Sequence, residues 1–196
     1  MKYFKKILLL WLLAYSSMLH ATEEEWYVLF ALGGARHIYQ EPLNSRMNQM
    51  EQSNSGSRSQ ISIDTIGIYR NLHSKNLIAG FIASGTGDAA SNSNTKDIIA
   101  TNQILYGGSV IQSFGREPGL SFFLKFDAGL AVQLYAESVN NIENSSLKFG
   151  PGITPAAGFG IPVTEGARLL LYLGFPYKFF DLASYGAFIV NLGILW

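Results

Sequence analysis

The sequence predicts an all-β chain, an eight-stranded antiparallel up-and-down transmembrane β-barrel behind a cleaved leader, on three observations. The 196 residues are 48% hydrophobic and only 14% charged, too little charge for the surface of an ordinary water-soluble domain. No stretch after residue 21 approaches the roughly 18–20 unbroken apolar residues that a spanning helix requires. From Trp26 onward, apolar residues alternate with small or polar ones in about eight segments of near-barrel length. A strand turns successive side chains to opposite faces, so such a segment can meet lipid on one side and fill a barrel on the other.

The N-terminus reads as a secretory leader. Lys2, Lys5 and Lys6 form a basic start, residues 7–14 a short apolar core, and residues 16–21 a small-residue exit ending at Ala21. The expected division is residues 1–21 as signal peptide and 22–196 as barrel. Losing the three lysines takes the formal charge from 0 to about −3, which is no footprint for nucleic acid. The absence of cysteine excludes disulfides and lipoprotein acylation.

The strands follow in order. Residues 26–35 turn Trp26, Val28, Phe30 and Leu32 outward. Residues 60–70 turn Ile61, Ile63, Thr65 and Tyr69 outward, with Asp64 and Arg70 inside. Residues 77–84 and 98–114 also read as strands, with their facing left open because a bulge resets register. Residues 122–135 place Phe122, Leu124, Phe126, Ala128, Leu130, Val132 and Leu134 outside, and Lys125, Asp127, Gly129 and Gln133 inside. In residues 152–163 Phe159 and Ile161 face out while Thr154, Ala156, Gly158 and Gly160 face in. Residues 168–179 put Leu169, Leu171, Leu173, Phe175, Tyr177 and Phe179 outside, with Arg168, Tyr172 and Lys178 inside. The last segment, 184–196, carries Phe188, Val190, Leu192, Ile194 and Trp196 on its lipid face.

The connections alternate in length. Residues 71–76, 115–119 and 164–167 are short, whereas 36–59, 85–97 and 137–150 are longer and rich in Ser, Asn and Gly. Short inner turns and long outer loops are the habit of membrane barrels. The final connection, near 181–183, is short on the outer side. With this orientation Trp26, Tyr69, Phe114, Phe122 and Trp196 belong to the inner aromatic girdle, and Phe175, Tyr177, Phe179 and Phe188 to the outer one.

The row Phe188, Val190, Leu192, Ile194 and Trp196, ending on an aromatic last residue, resembles the assembly signal of bacterial outer-membrane proteins. That resemblance implies recognition by the barrel-assembly machinery, and the mature chain looks like a small OmpA/OmpX-type barrel. A second resemblance is local. Residues 155–160 (PAAGFG) and 171–176 (LYLGFP) look like the sixth and seventh strands of the lipid A palmitoyltransferase family, in which prolines loosen the wall for phospholipid. Pro155, Pro162 and Pro176 are the positions at which the same loosening would occur here. On that reading His37, Asp88 and Ser91 are the nearest matches to the catalytic groups, although Asp88 is followed by Ala89 and Ala90 where the family has Ser.

The inward charges Asp64, Arg70, Lys125, Asp127 and Arg168, with Lys178, read as an internal salt-bridge network, because an eight-stranded barrel is just wide enough for side chains to fill it. His37, Met47 and Met50 lack the further ligands a metal site needs, and no motif implies a cofactor. The expected function is non-enzymatic: an integral outer-membrane barrel with an envelope or surface-interaction role. It would act as a monomer embedded among outer-membrane lipid and lipopolysaccharide, with an extracellular ligand left unnamed. The alternatives are a lipid A acyltransferase and a narrow conduit for small apolar molecules.

Overall fold

The computed structural model describes residues 26–74, 76–114, 120–164, 166–180 and 183–196. The expected leader lies outside these residues, as do the turn at 115–119 and the core of the connection at 181–182. The chain runs β1 (Trp26–Ile38), α1 (Leu43–Gln52), β2 (Gly56–Ser74), β3 (Leu77–Asn92), β4 (Asp97–Phe114), β5 (Ser121–Val139), β6 (Ile142–Thr164), β7 (Ala167–Gly174), β8 (Tyr177–Phe180) and β9 (Ala183–Leu195). All pairings are antiparallel between neighbours, and β1 pairs with β9, closing an eight-stave ring in which β7 and β8 share one stave. The seam is completed by reciprocal backbone hydrogen bonds between Val28 and Trp196.

The seventh stave differs from its expected single strand at Phe175–Pro176. Proline has no N–H to give the ladder, so the regular pairing breaks there. The wall nevertheless holds: Phe175 N–H donates to the Pro155 carbonyl at 2.9 Å and Ala187 N–H to the Pro176 carbonyl at 3.0 Å. Pro155 and Pro176 therefore keep their carbonyls in the sheet. The loosening expected at them is not an opening, and Pro162 lies at a register shift beside Thr164.

Exposed apolar side chains form a continuous outer band. Phe30, Leu32, Phe81, Phe126, Leu171 and Leu192 are among them, all more than two-fifths exposed. Such a surface is disfavoured in water and matched to hydrocarbon. No described helix is long and apolar enough to cross a membrane. Phe175, Tyr177, Phe179 and Phe188 cluster at one rim, with ring centroids 4.7–6.2 Å apart. Phe114, Phe122 and Phe159 meet at the other, 5.7–6.0 Å apart.

Two sequence expectations need correction. The ladder shifts register between Asp64 and Ile66, a bulge that reverses facing beyond it. Ile66 and Ile68 take the outer row and Tyr69 turns inward to complete burial, while Arg70, paired with Trp26, is buried. Tyr69 is thus absent from the girdle; the side chain of Thr65, also expected outward, lies outside the described residues. The second correction concerns the long loops. Residues 85–92 continue β3 and 137–150 are mostly strand, with Asn140 and Asn141 making the β5–β6 turn at φ 53° and 62°. Left-handed Asn pairs suit a two-residue hairpin. Beyond the lipid neither face must be apolar, so Ser, Asn and Gly continue the ladder without the alternation that marks a strand in sequence. Only the first connection remains long, and it contains α1.

Candidate functional site

The interior is filled in two tiers. In the lower, Lys125 on β5 is buried and its Nζ lies 2.5 Å from Asp127 Oδ2 and 3.2 Å from Asp64 Oδ2. Ser109 Oγ donates to Asp127 at 2.5 Å and shares a 2.9 Å hydrogen bond with Tyr69 OH. Tyr172 OH donates to Asp64 and accepts from Asn191 Nδ2 at 3.2 Å. The ammonium also stands 5.8 Å from the centre of the Tyr172 ring. Charged and hydroxyl groups from β2, β4, β5, β7 and β9 thus meet across the bore. Of the five network residues expected from sequence, Asp64, Lys125 and Asp127 come together. Arg168 is half-buried opposite Leu195 at the rim, and Arg70 is buried on the Trp26 row. Lys178 lies above, donating to the Gln103 carbonyl at 3.1 Å and Thr86 Oγ1 at 3.4 Å.

The upper tier lies above the apolar band, at the mouth. Its centre is Asp88, which the sequence reading placed in a loop and which is instead buried on β3. Arg58 grips it with two bonds, Nε at 2.9 Å and a terminal nitrogen at 2.7 Å, the planar fork that suits a carboxylate. Gln60 Nε2 and Tyr39 OH each donate at 3.0 Å. Tyr39 OH also lies 2.8 Å from Thr101 Oγ1. Burial pushes the Asp88 carboxyl up, but the Arg58 and Gln60 bonds outweigh it and hold the group below the usual aspartate range. His37 Nδ1 stands 3.5 Å from Asp88 Oδ2. Burial pulls that imidazole down to about 4 despite the carboxylate beside it, so it is neutral near pH 7. Its ring stacks on Tyr39 at 5.5 Å.

α1 closes this mouth. Leu43, Met47 and Met50 recur at helical spacing and point into a cluster with Tyr39, Ala90 and Ile99; Met47 is fully buried. The helix went unread because ten polar-rich residues in a loop carry only those three apolar positions. Met47 packs as a hydrophobe, and the described residues hold no cluster of three or more His, Cys, Asp or Glu fit for a metal.

The groups named for an acyltransferase are only partly assembled. His37 and Asp88 are adjacent, but Ser91 stands three residues on from Asp88, which in a strand means the opposite face. Its hydroxyl pairs with Ser57 Oγ at 3.0 Å. With Asp88 saturated by Arg58, Gln60 and Tyr39, the trio forms no nucleophile–base–orienter chain.

Among solved structures, the fold matches Neisserial surface protein A with a TM-score of 0.58 at 12% identity, covering 89% of this chain and 98% of that one. The fold is that of a small outer-membrane β-barrel. Looser matches to outer-membrane barrels include the attachment invasion locus protein Ail of Yersinia pestis (TM-score 0.43, 13% identity, 88% and 99% covered) and the outer membrane protease OmpT of Escherichia coli (0.49, 8%, 90% and 99%). No protein-family model and no curated protein sequence matches the chain. At these identities the likeness concerns the outer-membrane barrel fold; what the site does has to be argued from its own residues.

Proposed function

We propose that this chain is a non-enzymatic integral barrel of the bacterial outer membrane, exported by its N-terminal leader, with α1 and the β3–β4 and β5–β6 hairpins facing outside in a surface-interaction role. The observation that carries this reading is that the bore is filled at two levels while paired strands continue beyond the apolar band. A filled bore argues against a conduit, and the separation of Ser91 from His37 and Asp88 argues against acyl transfer. The row Phe188, Val190, Leu192, Ile194 and Trp196 serves as the assembly signal, and lipopolysaccharide surrounds the outer half of the monomer. The test combines two measurements. Mass spectrometry of lipid A from cells with and without the gene should give identical acylation, and the purified protein in planar bilayers should give no discrete conductance. An added palmitate, or stable single-channel steps, would overturn the reading.

A further inference from the structure

β1 and β2 pair only as far as Gly34 and Ile61. Above that level β1 continues along β9 to Ile38, and β2 continues along β3 to Gly56. The two strands therefore part above Gly34 and Ile61, and α1, which packs against β2 and β3, borders the gap. Between them lies a half-open cavity of about 540 Å³, within the range of small-ligand sites.

Its lining is polar apart from Ile38. β1 contributes Arg36, His37 and Ile38, and β2 contributes Arg58 and Gln60. α1 contributes Asn44, Asn48 and Glu51, spaced at i, i+4 and i+7, each one residue after its buried Leu43–Met47–Met50 stripe and so on the adjacent face of the helix. Three of these side chains already hold one another: Arg58 donates to Asn48 at 2.8 Å and to Glu51 at 3.4 Å. His37 does not. It is 6% exposed, lines the cavity, and neither ring nitrogen has a hydrogen-bond partner among the described residues. A buried polar group without a partner is costly in a folded protein, and here it borders a space large enough for a ligand to supply one.

We propose that this cleft is a binding site for a saccharide unit. Neutral imidazole offers one donor and one acceptor, which matches a sugar hydroxyl. The amides of Asn44, Asn48 and Gln60 offer the same pairing to neighbouring hydroxyls, and Arg36 at the entrance favours an acidic or phosphorylated sugar. The gap opens sideways where the apolar band ends, so the saccharide headgroup of an outer-leaflet glycolipid reaches it without leaving the membrane. That source rests on the orientation proposed above; the binding site itself does not.

The experiment uses detergent-solubilised full-length protein with labelled histidine side chains. Its probes are deacylated lipopolysaccharide oligosaccharide and, separately, the neutral sugar maltotriose. The expected result is a saturable shift of the His37 ring resonances. Because His37→Leu removes the reporting ring, the variants are titrated by calorimetry: His37→Leu, and the helix-face double variant Asn44→Leu/Asn48→Leu that leaves the barrel wall intact, should each weaken oligosaccharide binding by about tenfold or more, as losing one or two hydrogen bonds to a ligand implies. Competition by intact lipopolysaccharide in nanodiscs supports the leaflet as source; saturation by maltotriose with no such competition supports a free sugar in the same site. No saturable shift with either probe overturns the site, as does unchanged affinity in the double variant. The binding measurement in detergent is indifferent to which end faces outside, so an orientation error would show in protease accessibility and not here.

Discussion

Lys125 is the residue whose loss should cost the barrel most. It is the cation between two buried carboxylates, 2.5 Å from Asp127 and 3.2 Å from Asp64, and is itself 2% exposed. Lys125→Met keeps the length and volume of the side chain, so packing changes little. What it removes is the charge, leaving Asp64 and Asp127 facing each other inside the bore. Breaking a buried ion pair by removing one partner costs about 3–5 kcal/mol. Asp127→Asn should be milder. It leaves the Lys125–Asp64 pair balanced and can still accept from the ammonium and bond Ser109, so a loss nearer about 1–2 kcal/mol is expected, that of a weakened hydrogen bond. The assay is urea unfolding in lipid vesicles, followed by tryptophan fluorescence and by heat-modifiable gel migration. Wild-type stability in Lys125→Met, or a larger loss in Asp127→Asn than in Lys125→Met, would refute the assignment of Lys125 as the central cation. Asp88→Ala should also destabilise the protein, though less than Lys125→Met, since it removes the fork partner of Arg58 and leaves that side chain Asn48 and Glu51.

Further outcomes follow from other parts of the molecule. Protease added to intact cells should cut near Asn140–Asn141 and within 36–59 while sparing the turn around residues 74–77; the reverse pattern, read by mass spectrometry of fragments, would invert the topology. Trp196→Asp should lower the amount of folded, heat-modifiable protein in the membrane, because Trp196 both ends the outer row and bonds Val28 across the seam; unchanged levels would count against it. His37, held at about 4 against an ordinary 6.5, contributes stability that is fully present above pH 6.5 and is lost as pH falls toward 4, since the unfolded chain binds the proton more readily. The loss should be on the order of 3 kcal/mol and should vanish in His37→Gln. Denaturation across that pH window checks it, and a pH-independent wild type would refute it.

Much of the barrel was legible because lipid is an undemanding reader of sequence: it requires only that every second residue be apolar. Residues 122–135, 152–163, 168–179 and 184–196 meet that demand without interruption, and their facing follows at once. The bulge at Asp64–Ile66 was not legible, because an extra residue in one strand looks the same in sequence as correct alternation with a different phase; Tyr69 was misplaced for that reason alone. The extensions of β3, β5 and β6 above the membrane were hidden by the opposite circumstance, the absence of any demand. At the candidate site His37 and Asp88 were named only through the family resemblance, and their partners Arg58, Gln60 and Tyr39 not at all, since these are neighbours only through register. The signal that would have found α1 is the spacing of Leu43, Met47 and Met50, with Asn44, Asn48 and Glu51 one step behind.

The seam between β1 and β9 has a consequence for how the molecule comes into being. Leu29 pairs with Leu195 and Val28 with Trp196, so the first strand has no partner on one flank until the last residue has been synthesised and delivered. Every other stave can be laid against its predecessor; this one waits for the whole chain. Contacts so remote in sequence form slowly, and meanwhile β1 and β9 each present an unpaired edge of the kind that invites aggregation. A chain truncated by even one strand is therefore an open sheet with two sticky margins in place of a smaller barrel, exposed until the ring can shut.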